Sequence, residues 1–90
     1  MFYVQVHALA PESADDAGGA YVSCWINADN ETDAEITALQ TIEDEGWKPE
    51  EVAYLNRVER AEYLGTESLE HFDSAIEDGA CFVFHIYPPE

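Results

Sequence analysis

The sequence has very few basic residues: Lys and Arg together number 3, against 20 Asp and Glu, for a formal net charge of −17 over 90 residues. A protein that binds nucleic acid without sequence preference needs clustered Lys and Arg to neutralise phosphates, so the composition argues against direct nucleic-acid binding. The same shortage argues against docking on an anionic membrane. No apolar run approaches the roughly 18 residues of a transmembrane helix.

Sulfur is scarce too, because Cys24 and Cys81 are the only cysteines and neither belongs to a CxxC pair. The first nine residues alternate in polarity and lack the basic segment of a signal peptide, so we expect a cytoplasmic protein whose thiols stay reduced. The simplest interpretation of both cysteines is that they are small core residues.

Apolar content separates this chain from a disordered acidic tail. Hydrophobic residues make up 47% of the sequence and aromatic residues 12%, whereas disordered chains combine high charge with few apolar residues. The length suits one domain, and we predict a single domain over residues 1–90.

Strands are predicted where polarity alternates with period two. The pattern is clearest over residues 2–9, 20–27 and 80–87, and the first two segments are expected to pair as a hairpin across an exposed loop at 11–19. A further strand is predicted over 52–58; Pro49 means that any strand here begins after it or lies at a sheet edge.

Helices are predicted over residues 29–45 and 66–78, where apolar residues recur at helical spacing. In the first, Asp29, Asn30 or Thr32 can act as N-cap, and Ile36, Ala38, Leu39 and Ile42 form the apolar stripe. The second helix carries its own stripe, formed by Leu69, Phe72, Ala75 and Ile76. Gly46 and Gly79 are expected to end the two helices with positive φ.

The element order is therefore ββαβαβ, a hairpin followed by two strand–helix–strand units. We predict an α+β, two-layer sandwich in which two helices cover one face of a four-stranded mixed sheet, ferredoxin-like in general architecture. Such architectures host many unrelated functions, so the fold class by itself assigns none.

Strand periodicity divides the sheet into two faces. The first face, expected beneath both helices, carries Phe2, Val4, Val6, Val22, Cys24, Ile26, Phe82, Phe84 and Ile86. The second face carries aromatic residues and histidines, and its candidate binding or interface residues are Tyr3, His7, Tyr21, Trp25, His85 and Tyr87. A charge-free aromatic face is expected to be covered by a second copy, a ligand or the chain's own loops, although Tyr and Trp also simply suit strands.

Motifs for catalysis and metal binding are lacking. The sequence contains no P-loop, GxSxG, GxGxxG or HExxH pattern. His7 and His85 share the second face and approach each other only if the first and last strands are neighbours, and a zinc site wants four ligands. A Cys–His nucleophilic pair fails on spacing for Cys81 and His85, which are four apart on one strand. We predict no catalytic residues, no metal and no cofactor.

The acidity has three interpretations: solubility, tolerance of a saline environment, and attraction of a basic protein partner. The prediction that follows is a non-catalytic protein-interaction or regulatory module, expected to be a homodimer through the second face and able to engage a basic protein. The alternative is a small-molecule-binding domain, or an enzyme, that uses the same aromatic and histidine face.

Overall fold

The computed structural model describes residues 1–11 and 17–89, so the expected loop at 11–19 lies in part outside the described residues. In chain order the elements are β1 Phe2–Leu9, β2 Gly19–Ile26, α1 Glu31–Asp44, β3 Lys48–Arg57, a 3₁₀ turn Arg60–Tyr63, α2 Leu69–Asp78 and β4 Ala80–Tyr87. Strands and helices follow one another in the predicted order. Neither helix in this described part is long and apolar enough to cross a membrane.

The four strands form one open sheet in the order β3-β1-β2-β4, with the predicted β1–β2 hairpin at its centre. All three pairings are antiparallel, so the prediction of a mixed sheet is wrong. The physical reason is the placement of β3. It runs parallel to β2, as a helical crossover requires, but it pairs with the far side of β1, and α2 then carries the chain to the opposite edge.

The two helices lie on opposite faces of the sheet. On the first face, Ala38 and Ile42 of α1 pack into the cluster of Val4, Val6 and Val22, all with no exposed surface. On the second face, Phe72 and Ala75 of α2 pack with Trp25 and Val58. The expected two-layer arrangement with both helices on one face, as in ferredoxin-like folds, is therefore wrong. Aromatic side chains on the second face provide the apolar surface that α2 covers.

Both helices end near the predicted positions. The Asn30 side chain caps α1 by accepting from the Asp33 amide at 2.9 Å, and Gly46 and Gly79 take positive φ of 89° and 91°. The predicted apolar stripes are less accurate, because Ile36 is 47% exposed and Ile76 is 51% exposed. In α1 the small residue Ala34, absent from the predicted stripe, is fully buried instead.

Strand β3 begins at Lys48, earlier than the predicted start at residue 52, and includes Pro49. Proline is tolerated because β3 is an edge strand, where one side of the backbone has no ladder to complete. The pairing of β3 with β1 also shifts register between Gln5 and Val6 and again between His7 and Ala8. The predicted edge position for this proline is thus observed.

Candidate functional site

Helix α2 covers one half of the second face. Beneath it lie Trp25, which is 5% exposed, and the half-buried Tyr3, Cys81 and Val83. The register explains the grouping, since Tyr3 pairs with Trp25 across β1 and β2, and Trp25 pairs with Cys81 across β2 and β4. We call this region the covered half.

A cleft of about 400 Å³ remains between the covered half and the start of α2. Its floor is formed by strand residues of the sheet: Tyr3, Ser23, Trp25, Val83 and His85. Its wall comes from the 3₁₀ turn and from α2 with the residues just before it: Tyr63, Glu67, Ser68 and His71. This volume falls within the roughly 300–1,000 Å³ typical of small-molecule sites.

Some polar groups in the cleft have hydrogen-bond partners and others do not. The Tyr3 hydroxyl and Ser23 Oγ hydrogen-bond each other at 3.0 Å. Trp25 Nε1 is buried and has no hydrogen-bond partner among the described residues. Burial raises the pKa of the Tyr63 hydroxyl, and the nearby Trp25 indole partly offsets that rise without reaching the geometry of a hydrogen bond. A buried N–H without a partner costs stability.

His71 links α2 to the floor of the cleft. Its ring stacks on Trp25 with centroids 5.1 Å apart and planes 24° apart, and its Nδ1 lies 3.8 Å from Cys81 Sγ. Burial and the charge of Asp78 raise the pKa of the Cys81 thiol. The thiol therefore stays protonated and can donate weakly to Nδ1, which favours the His71 tautomer with its proton on Nε2. A raised pKa is the opposite of what a nucleophilic cysteine needs.

An ion pair fastens the 3₁₀ turn to α2. Arg60 Nε and Nη2 donate to the two Asp73 carboxylate oxygens at 2.8 and 3.1 Å. This bidentate contact holds the pKa of the Asp73 carboxyl below its usual value, through its hydrogen bonds first and its charge second. Since Tyr63 ends the same turn, the pair also helps to place one wall of the cleft.

The remaining part of the second face, the open half, contains stacked rings without a covering helix. His7 stacks on Tyr21 with centroids 4.9 Å apart, and its Nε2 lies 2.6 Å from the Tyr87 hydroxyl. Tyr87 reaches from β4 across β2 to β1 over Gly19, where a Cβ atom would collide with the tyrosine ring. Tyr21 is 47% exposed with respect to residues 1–11 and 17–89.

The six predicted site residues therefore divide into two groups. Tyr3, Trp25 and His85 contribute to the cleft, and His7, Tyr21 and Tyr87 form the open half. His7 and His85 do not meet, because β2 separates their strands.

The cleft wall is not predicted from the sequence, because it depends on where α2 docks. One signal was available: His71 lies beside Phe72 and one step off the apolar stripe, so a helix docked on the second face points it at Trp25.

For metals, His, Cys, Asp and Glu residues form no group of three or more suited to an ion within residues 1–11 and 17–89. His71 Nδ1 and Cys81 Sγ lie 3.8 Å apart, and the raised pKa of the Cys81 thiol disfavours the thiolate that binds metals.

The two edges of the sheet differ in protection. The sequence of β3 (KPEEVAYLNR) includes Lys48, Pro49, Glu50 and Glu51, and its register shifts twice. Charges, proline and bulges are the features that keep an edge strand from pairing with another chain. The sequence of β4 (ACFVFHIY) has no charged residue other than the titratable His85 and contains no proline.

Backbone groups of β4 alternate between its neighbour and its free side. The carbonyls of Gly79 and Tyr87 accept from Asn27 and Gly18 of the β2 side, each at 2.9 Å. By strand alternation, Ala80, Phe82, Phe84 and Ile86 then direct their N–H and C=O groups to the free side. On that edge Phe82 and Phe84, expected as core residues, are only half-buried, and Ile86 is 58% exposed.

Comparison of the chain with protein-family models, with curated proteins and with solved structures finds no match.

Proposed function

We propose that this protein is a non-catalytic interaction module that forms a homodimer by pairing β4 with β4 of a second copy. The observation that carries the proposal is the unprotected edge of β4, which contrasts with the charged, proline-containing edge of β3. Antiparallel pairing about a two-fold axis needs only one self-complementary strand, and two-fold dimers are the commonest soluble oligomers.

Pairing at this edge would also account for the partly exposed apolar side chains along β4. In such a dimer the first faces of two sheets become continuous, and the half-buried Phe82 and Phe84 together with Ile86 gain apolar neighbours. The covered half of the second face, by contrast, does not offer Trp25 to a partner, because α2 already buries it. The face-to-face contact predicted from the sequence would therefore have to use the open half, and it is a second candidate interface beside β4.

The net charge of the chain predicts how dimerisation should depend on salt concentration. Two chains of −17 repel each other, and salt screens that repulsion over about 8–10 Å. The homodimer should therefore tighten as NaCl rises, whereas binding of a basic protein to the acidic surface should weaken. The proposal includes a cytoplasmic location, where the free thiols of Cys24 and Cys81 stay reduced.

The test is light scattering after size exclusion at low and moderate salt, with paired variants. Ile86→Lys places a charge on the free edge of β4, and Ile36→Lys makes the same change at a similarly exposed isoleucine on α1. We expect the wild type to dimerise more tightly at higher salt, Ile86→Lys to raise the dimer Kd at least about tenfold, and Ile36→Lys to leave it nearly unchanged.

Two other outcomes would contradict dimerisation through β4. A monomer at high micromolar concentration under both salt conditions would overturn the homodimer. If Tyr21→Lys abolishes dimerisation while Ile86→Lys does not, the interface is the open half and not β4. Circular dichroism of each variant checks that it is folded.

A further inference from the structure

We propose that the cleft between α2 and the covered half binds a small organic cation of the methylated or quaternary ammonium class. The cleft lies on the second face, whereas the side chains that the β4 dimer would bury, Phe82, Phe84 and Ile86, lie on the first face. The inference therefore goes beyond the interaction proposed above and stands independently of it.

Tilted aromatic rings form a corner in the cleft. Tyr3 and Tyr63 each contact Trp25, with centroid distances of 5.2 and 6.3 Å and planes tilted by 56° and 73°. Trp25 is buried at the back of this corner, and both tyrosines are half-buried. Because His71 stacks on one face of Trp25, Tyr3 and Tyr63 supply most of the accessible ring surface, and a compact cation is attracted to such aromatic faces.

Charge in and around the cleft favours the same class. Its lining includes the exposed carboxylate Glu67 and contains neither Lys nor Arg. The chain as a whole carries −17, so its field attracts cations and repels anions. An anionic ligand would find no Lys or Arg in this lining with which to form an ion pair.

The hydrogen-bonding groups that line the cleft narrow the class of ligand further. A primary ammonium needs several acceptors for its three N–H donors. The Tyr3 and Ser23 hydroxyls bond each other, so both are already engaged. Among the described residues, Glu67 is the one carboxylate of the lining, and the hydroxyls of Tyr63 and Ser68 are its other oxygen acceptors. A cation whose nitrogen is methylated has few or no N–H groups to satisfy and suits this lining better.

Choline is the probe, because it combines a quaternary ammonium with a hydroxyl oxygen, and 3,3-dimethylbutan-1-ol is its uncharged isostere. The readout is two-dimensional amide NMR, which resolves the indole N–H signals of Trp25 and Trp47. We expect saturable shifts at Trp25 and around His71, little change at Trp47, and at least about tenfold weaker binding of the isostere.

A pair of variants separates the local carboxylate from the overall field. Glu67→Gln removes the charge in the lining, and Glu43→Gln removes an exposed charge from α1, so both leave the same net charge. We expect choline binding to weaken about threefold or more in Glu67→Gln and to change less than twofold in Glu43→Gln. Ile86→Lys should keep choline binding whatever it does to dimerisation.

Three outcomes overturn the proposal. The first is the absence of shifts at Trp25 up to tens of millimolar choline, and the second is equal binding of choline and its uncharged isostere. The third is equal weakening by Glu67→Gln and Glu43→Gln, which would mean that the cation responds to net charge and not to this cleft.

Discussion

The two faces of the sheet are closed by helices in different ways. On the first face, the small side chains of Ala34 and Ala38 let α1 lie close to the valines of β1 and β2, and the cluster has no exposed surface. On the second face, α2 packs on large rings, and a cleft remains beside Trp25. The sealed face thus has small helix residues at its contact, whereas the face that retains a cleft has large aromatic residues there.

The strongest way to test this difference is to remove one large side chain from each face. Phe2 is 2% exposed on the first face, and Phe72 is 4% exposed beneath α2. Each truncation to Ala should cost about 3–5 kcal/mol. In urea denaturation we expect Phe2→Ala to lower the midpoint of the whole transition. Phe72→Ala should first release α2, as NMR shifts confined to α2 and the covered half would reveal.

If both variants melt in one transition with the same loss, the two faces form a single cooperative unit. A Phe72→Ala protein with an unchanged midpoint would contradict the observed burial of that ring. Ile76→Ala, at an exposed position of α2, is the control and should change stability little.

The cysteines probe the same contrast on a smaller scale, because Cys24 lies in the first-face cluster and Cys81 lies on the second face. Burial raises the pKa of Cys24 to about 12, with a smaller effect from Cys81, so at pH 8 about one molecule in ten thousand carries that thiolate. Cys81, whose pKa is also raised, is half-buried at the margin of α2.

We expect iodoacetamide to label Cys81 at least about a hundredfold faster than Cys24 in the folded protein. Single-thiol variants, Cys24→Ala and Cys81→Ala, report each site by mass spectrometry, and unfolding in urea should make the rates similar. Equal rates in the folded state would mean that the first face opens as readily as the second.

The smallest expected effect concerns the Arg60–Asp73 pair, which fastens the cleft wall and is exposed to solvent. Because the folded pKa of Asp73 lies below its ordinary 3.8, the pair stabilises the fold above that pH and loses its effect as pH falls through the lowered value. Asp73→Asn should lower the melting temperature by no more than about 2 °C at pH 7.

The control for this prediction is Asp44→Asn, which removes an acid from the last turn of α1 and should raise the melting temperature slightly. The difference between wild type and Asp73→Asn should vanish in acid, below the lowered pKa of Asp73. If Asp73→Asn raises the melting temperature at pH 7 as Asp44→Asn does, relief of net negative charge outweighs the ion pair.

Local features of the sequence predict much of the fold. Alternation gives β1 and β4 with the bounds observed, and it correctly assigns Tyr3, Trp25 and His85 to one face. Periodicity does not reveal which face each helix covers, because α2 would be equally amphipathic on either side. The position of β3 beside β1 is also a long-range choice that no local pattern encodes.

The candidate site also has one part that local sequence patterns predict and another part that they do not. Its floor is predictable because strand residues two apart share a face. Its wall is not, because Tyr63, Glu67 and His71 reach the floor only when α2 docks on the second face. The role of β4 as an open edge likewise depends on strand order.

The strand order also implies a sequence of folding events. Of the three strand pairings, the central hairpin joins segments that are close along the chain, while β3 and β4 pair with partners far away in sequence. Closing a short loop costs less conformational entropy than closing a long one, so the hairpin can form first and the outer strands add later. In the monomer, amide hydrogen exchange should then be slowest in β1 and β2 and faster in the edge strands β3 and β4, and pairing of β4 in a dimer should slow exchange there.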